Sequence, residues 1–102
     1  MVTRQLPLTG LELRDQGIAS LERHRWVDDA RLYARAFCRN NGALGGVPFV
    51  TSDDVYDMMG PPPHPNCFGA IFHDKRFVAT GERFRSKRPE AHGRWIMVWR
   101  LR

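Results

Sequence analysis

Apolar residues recur at helical spacing in two stretches before residue 43. In TGLELRDQGIASLERHR, residues 9–25, Leu11, Ile18 and Leu21 share one face, and Thr9 is a candidate N-cap. Gly17 weakens this helix by about 1 kcal/mol relative to alanine. In VDDARLYARAFCRNNG, residues 27–42, Ala30, Tyr33, Ala34, Phe37 and Cys38 form a stripe suited to burial. Asp28 and Asp29 mark its start, where the helix dipole favours negative charge, and Asn40, Asn41 and Gly42 mark its end. Arg31, Arg35 and Arg39 lie on another, solvated face. The pattern therefore predicts two helices, with Trp26 pinning them together.

Beyond residue 42 the elements shorten. Pro48 to Thr51 is extended, and a helix follows, capped by Thr51 or Ser52 with Asp53 and Asp54 in its first turn. Val55, Met58 and Met59 give that helix an apolar side, and Gly60 with three prolines stops it. HPNCFGAIFHDKRF, residues 64–77, predicts a further helix with Pro65 in its first turn. Its buried side is Phe68, Ile71 and Phe72; Asn66, Gly69, Ala70 and His73 face outward. RFVATGERF is a strand, SKRPEAHG a loop and RWIMVWRL a second strand. Alternation along the last strand places Trp95, Met97, Trp99 and Leu101 toward the core.

Charge sharpens this picture. Residues 1–74 hold seven arginines and nine carboxylates, whereas residues 75–102 hold nine lysines or arginines and two glutamates. Segregated positive charge is the footprint of a polyanionic partner. No apolar run approaches the roughly 20 residues of a membrane span, and MVTRQLPLTG lacks the apolar stretch of a secretory signal. The expectation is a cytoplasmic protein with no membrane partner. The chain length suits one modest core.

From about Val27 to Arg102 the order is helix, short strand, helix, turn, helix, strand, basic loop, strand. This order and its hydrophobic pattern resemble the winged helix-turn-helix family. The resemblance implies an α+β fold, with a three-helix core and a β-hairpin wing over residues 27–102. Residues 1–26 then form an additional N-terminal helical extension. SDDVYDMM would be the family's second helix, HPNCFGAIFHD its recognition helix and FRSKRPEAHGR its wing. FVTSDDVYDMMGPPPHPNCFGAIF with SKRPEAHGRWIMVW is also similar to small phage and prophage proteins, a similarity that brings no established activity.

A winged-helix reading implies a small non-catalytic protein that docks a helix and a basic wing on duplex DNA, as a phage-type regulator of transcription or an accessory factor. A recognition helix fits the major groove, which is about 12 Å wide. Arg83, Arg85, Lys87, Arg88 and Arg94, with His92 assisting, would neutralise phosphates. Lys75 and Arg76 follow at the end of the recognition helix. Ser52 can donate to a phosphate from a helix N-terminus, while Asn66 and His73 can address base edges. With Gly69 and Ala70 outward, that helix has few long polar side chains, so the wing would carry most of the affinity. A second reading is a protein-interaction module on the same scaffold, with a host protein as partner. Residues 9–25 suit a homodimer contact in either case.

Other constellations carry less. His64, Cys67 and His73, completed by Cys38 or His92, lack the paired spacing of structural zinc sites. Cys38 and Cys67 read instead as small buried residues. Helix capping accounts for Asp53 and Asp54, leaving no nuclease cluster with Asp57. No nucleophile–base pairing emerges, and neither cofactor nor metal is expected. Trp95 and Trp99 could stack on bases, although alternation favours core packing for both.

Overall fold

The computed structural model describes the backbone of residues 10–102, and side chains from residue 14 onward except residue 15. The order is α1 (Gly10–Ala43), β1 (Phe49–Val50), α2 (Ser52–Met59), α3 (Cys67–Ile71), β2 (Phe77–Arg85), a 3₁₀ turn (Pro89–Ala91) and β3 (Trp95–Leu101). The strands form one antiparallel sheet in the order β1-β3-β2. The fold is α+β. The proposed Thr9 cap and the side chain of Leu11 lie outside the described residues.

The two helices expected before residue 43 are one. α1 runs unbroken for 34 residues, straight through Trp26 and Val27. Asp28 and Asp29 look like a helix start, but no proline or glycine lies between Ile18 and Asn41 to break the chain. Both aspartates are exposed, which the helix interior tolerates at little cost. Trp26 does not pin two N-terminal helices together; its indole meets Phe68 edge-on at 5.9 Å, fastening α1 to α3. The stripe that packs is Val27, Ala30, Ala34 and Cys38. Tyr33, expected within it, is 49% exposed. The small Ala30 and Ala34 let neighbouring elements approach closely.

The core joins that stripe to Val50, Val55, Ile71, Phe72 and Phe77. Phe72 is its aromatic centre, stacked on Trp99 at 5.1 Å and meeting Phe77 edge-on at 5.3 Å. Thr51 caps α2 through a capping box: its backbone N–H donates to Asp54 Oδ2 at 2.8 Å, and Asp54 N–H donates back to Thr51 Oγ1. Gly60, at φ 75°, ends α2 in a conformation glycine tolerates.

α3 is five residues long, much shorter than its sequence pattern suggests. Asp74 ends the apolar run by accepting the Arg76 N–H at 2.8 Å, a local bond that turns the chain into β2. Lys75 and Arg76 consequently belong to this turn and not to a helix. Arg31 of α1 closes α3 from outside. Its Nε donates to Ile71 O at 3.2 Å and its Nη2 to Ala70 O at 2.8 Å, while Asp74 lies 3.7 Å away. The arginine expected on a solvated face is thus the C-terminal cap of another helix. Neighbouring Arg35 has its Nε buried without a partner among the described residues. Arg31→Ala should lower stability by about 1–2 kcal/mol in urea unfolding, and Arg31→Lys should recover little, because one ammonium cannot reproduce the planar fork.

Candidate nucleic-acid interface

β2 and β3 form a hairpin whose open end pairs Phe77 with Leu101 and whose far end pairs Arg85 with Trp95. Between Ala79 and Arg83 the register shifts, with Gly81 at φ 89°. Such a bulge bends a ribbon and increases its twist. The buried side of β3 changes across it. Near the open end Trp99 and Leu101 pack on the core. Beyond it Val98 is buried and Ile96 half-buried, while Trp95 and Met97 are 56% and 41% exposed. The expected core set of four is therefore correct only for Trp99 and Leu101.

The far end of the hairpin is held by one carboxylate. Asp53, in the first turn of α2, accepts from Ser86 Oγ, from Lys87 N–H and from Arg88 Nε, each at 2.7 Å. Burial by itself would raise the Asp53 pKa; the three hydrogen bonds outweigh it and hold the carboxyl below its ordinary value. Arg88 then lies over the Phe68 ring at 4.2 Å, with Tyr56 at 5.7 Å. It is folded into its own protein and is not available to a phosphate, which corrects the sequence expectation. Asp53 fills the first turn of α2 as expected and also anchors the hairpin loop. The two segments are 33 to 35 residues apart, and no local pattern signals their contact.

The loop itself is compact. Ser86 N–H donates to Arg94 O at 2.8 Å, and Arg94 N–H donates to Ala91 O at 2.9 Å. His92, at φ 50°, and Gly93, at φ 71°, turn the chain back toward β3. Arg85 donates to Gly93 O at 3.1 Å and lies 4.7 Å over the Trp95 ring. Cross-strand partners share a face, so Arg83 with Met97 and Arg85 with Trp95 form the outer face. Phe84 and Ile96 form the inner one, lining a hollow with Asp53, Asp54 and Asp57 that Arg85 and Lys87 also border. Arg83, Arg85, Lys87 and Arg94 are all exposed, and no described carboxylate lies within ion-pair distance of any of them.

Of the remaining candidates, Ser52 and Asn66 line one groove with Arg88 and Arg94 of the tip, while the others lie apart from it. His73, Lys75 and Arg76 sit at the open end of the hairpin, a strand length of about 27 Å away. There Arg76 pairs with Asp74 at 3.4 Å, and Lys75 O accepts from Arg102. Ser52 is buried behind the loop, so its hydroxyl does not present to a phosphate. Asn66 is exposed just before α3, with its backbone N–H taken by His64 Nδ1 at 3.1 Å. Between α3 and the loop lies a groove of about 760 Å³, lined by Tyr56, Pro61, Phe68, Gly69, Arg94 and Ile96.

The zinc constellation does not assemble. Cys67 is buried while His64 and His73 are exposed, and no group of three His, Cys, Asp or Glu side chains is placed to share a metal ion among the described residues. Cys38 is buried; burial first, and the Asp54 charge second, push its thiol up to about 11, so it stays protonated at neutral pH. No helix among the described residues is long and apolar enough to cross a membrane. No family model, curated protein or solved structure matches the chain.

Proposed function

We propose that the protein is a non-catalytic nucleic-acid-binding module on a winged-helix scaffold, in which the hairpin and not the helix makes the main contact. The sheet order β1-β3-β2 and the succession α1, β1, α2, α3, β2, β3 support the scaffold. The observation that carries the function is the charge left over at the hairpin tip. The nearest anchoring carboxylate, Asp53, is fully engaged by Ser86, Lys87 N–H and Arg88, yet Arg83, Arg85, Lys87 and Arg94 remain exposed. Phosphates are the partner that such a surface suits. α3 has few turns and carries an exposed Gly69, so little base-edge reading follows from it.

Binding to a DNA probe of random sequence should weaken steeply as salt rises. Arg83→Ala combined with Lys87→Ala should flatten the slope of log K against log salt by about two. Fluorescence anisotropy at several salt concentrations measures this; binding that ignores salt, or no binding at low salt, rejects the reading. A second reading, a protein-interaction module, draws support from Ile18 and Leu21, which leave the early turns of α1 with exposed apolar side chains. A partner protein or a second copy of the chain would cover them. Mass measurement in solution separates these cases.

A further inference from the structure

We propose that the outer face of the hairpin takes single-stranded nucleic acid, with a base stacked on Trp95. The inference deepens the function proposed above and rests on it. The protein treats its two hairpin tryptophans differently. Trp99 is stacked on Phe72, whereas Trp95 stands 56% exposed beyond the bulge. Its indole is braced from one side. Arg85 lies over the ring at 4.7 Å, and that guanidinium is itself fixed by Gly93 O. A braced ring loses little freedom when a ligand settles on the side left to solvent.

The surroundings select the ligand. Met97 continues the apolar surface next to Trp95 on the same face, and Arg83 stands directly across from it. Lys87 and Arg94 of the loop line the hollows beside Ile96 instead, so the cations of this face are Arg83 and Arg85, and no carboxylate pairs with either among the described residues. A flat apolar ring set among unpaired cations complements a chain of flat bases joined by phosphates. Within a duplex the faces of the bases are occupied by their stacked neighbours, so an exposed indole on an open surface finds nothing to stack on. In a single strand each base presents a π-face, and stacking on an aromatic side chain is tolerant of sequence. An acidic protein surface would satisfy the cations as well, but a nucleic acid strand supplies a flat ring along with each phosphate.

The test compares three fluorescein-labelled probes of equal length with the full chain: an oligothymidine, a duplex, and an abasic strand that keeps the phosphates without the bases. Wild type should bind oligothymidine roughly tenfold or more tighter than the abasic strand. Trp95→Ala should lower oligothymidine affinity roughly tenfold and change abasic and duplex binding by less than about twofold. Trp95→Phe should retain most of the affinity. Circular dichroism of each variant confirms that the fold persists. If Trp95→Ala binds oligothymidine as wild type does, or weakens all three probes equally, the stacking proposal is overturned. In either outcome a steep salt dependence would leave the broader nucleic-acid reading standing. Failure of every probe to bind at low salt overturns both.

Discussion

Asp53→Ala should destabilise the protein by about 3 kcal/mol and release the hairpin tip. Removing one partner of a largely buried ion pair costs about 3–5 kcal/mol, because the other charge is left without compensation. The Asp53 and Arg88 side chains are only 17% and 11% exposed, which places the pair in that class with slight relief from solvent. The variant also removes the acceptor of the Ser86 hydroxyl proton and of the Lys87 N–H. Urea unfolding measures the loss, and hydrogen exchange at Lys87 should accelerate as the loop detaches. Arg88→Met in the Asp53→Ala background should recover part of the stability by removing the stranded charge while keeping apolar contact with Phe68. No loss, or a loss confined to the α2 cap, would mean that Asp53 serves the helix end only.

Acid should act through the same carboxylate. Its pKa is lowered in the folded protein, so its contribution to stability is complete above the unfolded value of about 3.9. That contribution declines as pH falls through the folded value, when the proton displaces the three donors. The wild-type chain should therefore lose stability on acidification, and Asp53→Ala should lose less over the same range.

The second large effect separates the hairpin tryptophans. Trp99→Ala should cost about 3–5 kcal/mol, the range for removing a large aromatic from a core, since it eliminates the stack on Phe72. Trp95→Ala should cost under about 1 kcal/mol, because the ring loses chiefly an exposed cation–π contact with Arg85. Calorimetric or denaturant midpoints for the two variants should differ plainly. Equal losses would place Trp95 in the core after all.

These residues also show how far local pattern reaches. Alternation says that Trp95 and Trp99 point the same way from a regular strand, and it says nothing of a bulge on the partner strand that turns the ribbon between them. The order and type of the elements beyond residue 43 were legible because prolines, glycines and capping residues punctuate them. α2 begins and ends where Thr51 and Gly60 indicate. The joining of two apparent helices into α1 was not legible, since Asp28 and Asp29 are as compatible with a helix interior as with its start. The positive hairpin was evident from composition, but which cations remain available was not. Arg88 and Lys87 are adjacent in sequence, and only the distant Asp53 makes one of them interior. Arg31 and Arg35 likewise look like surface residues until α3 and Asp74 are brought against them.

The continuity of α1 has a mechanical consequence. Upstream of Trp26 the described side chains are mostly exposed, and a methyl group added at Gly17 would meet nothing within 4 Å. The 16 residues from Gly10 to Arg25 extend about 24 Å at the usual helical rise. With no joint between this arm and the turns that clasp α3, whatever grips the far end is held at one distance and one angle from the hairpin.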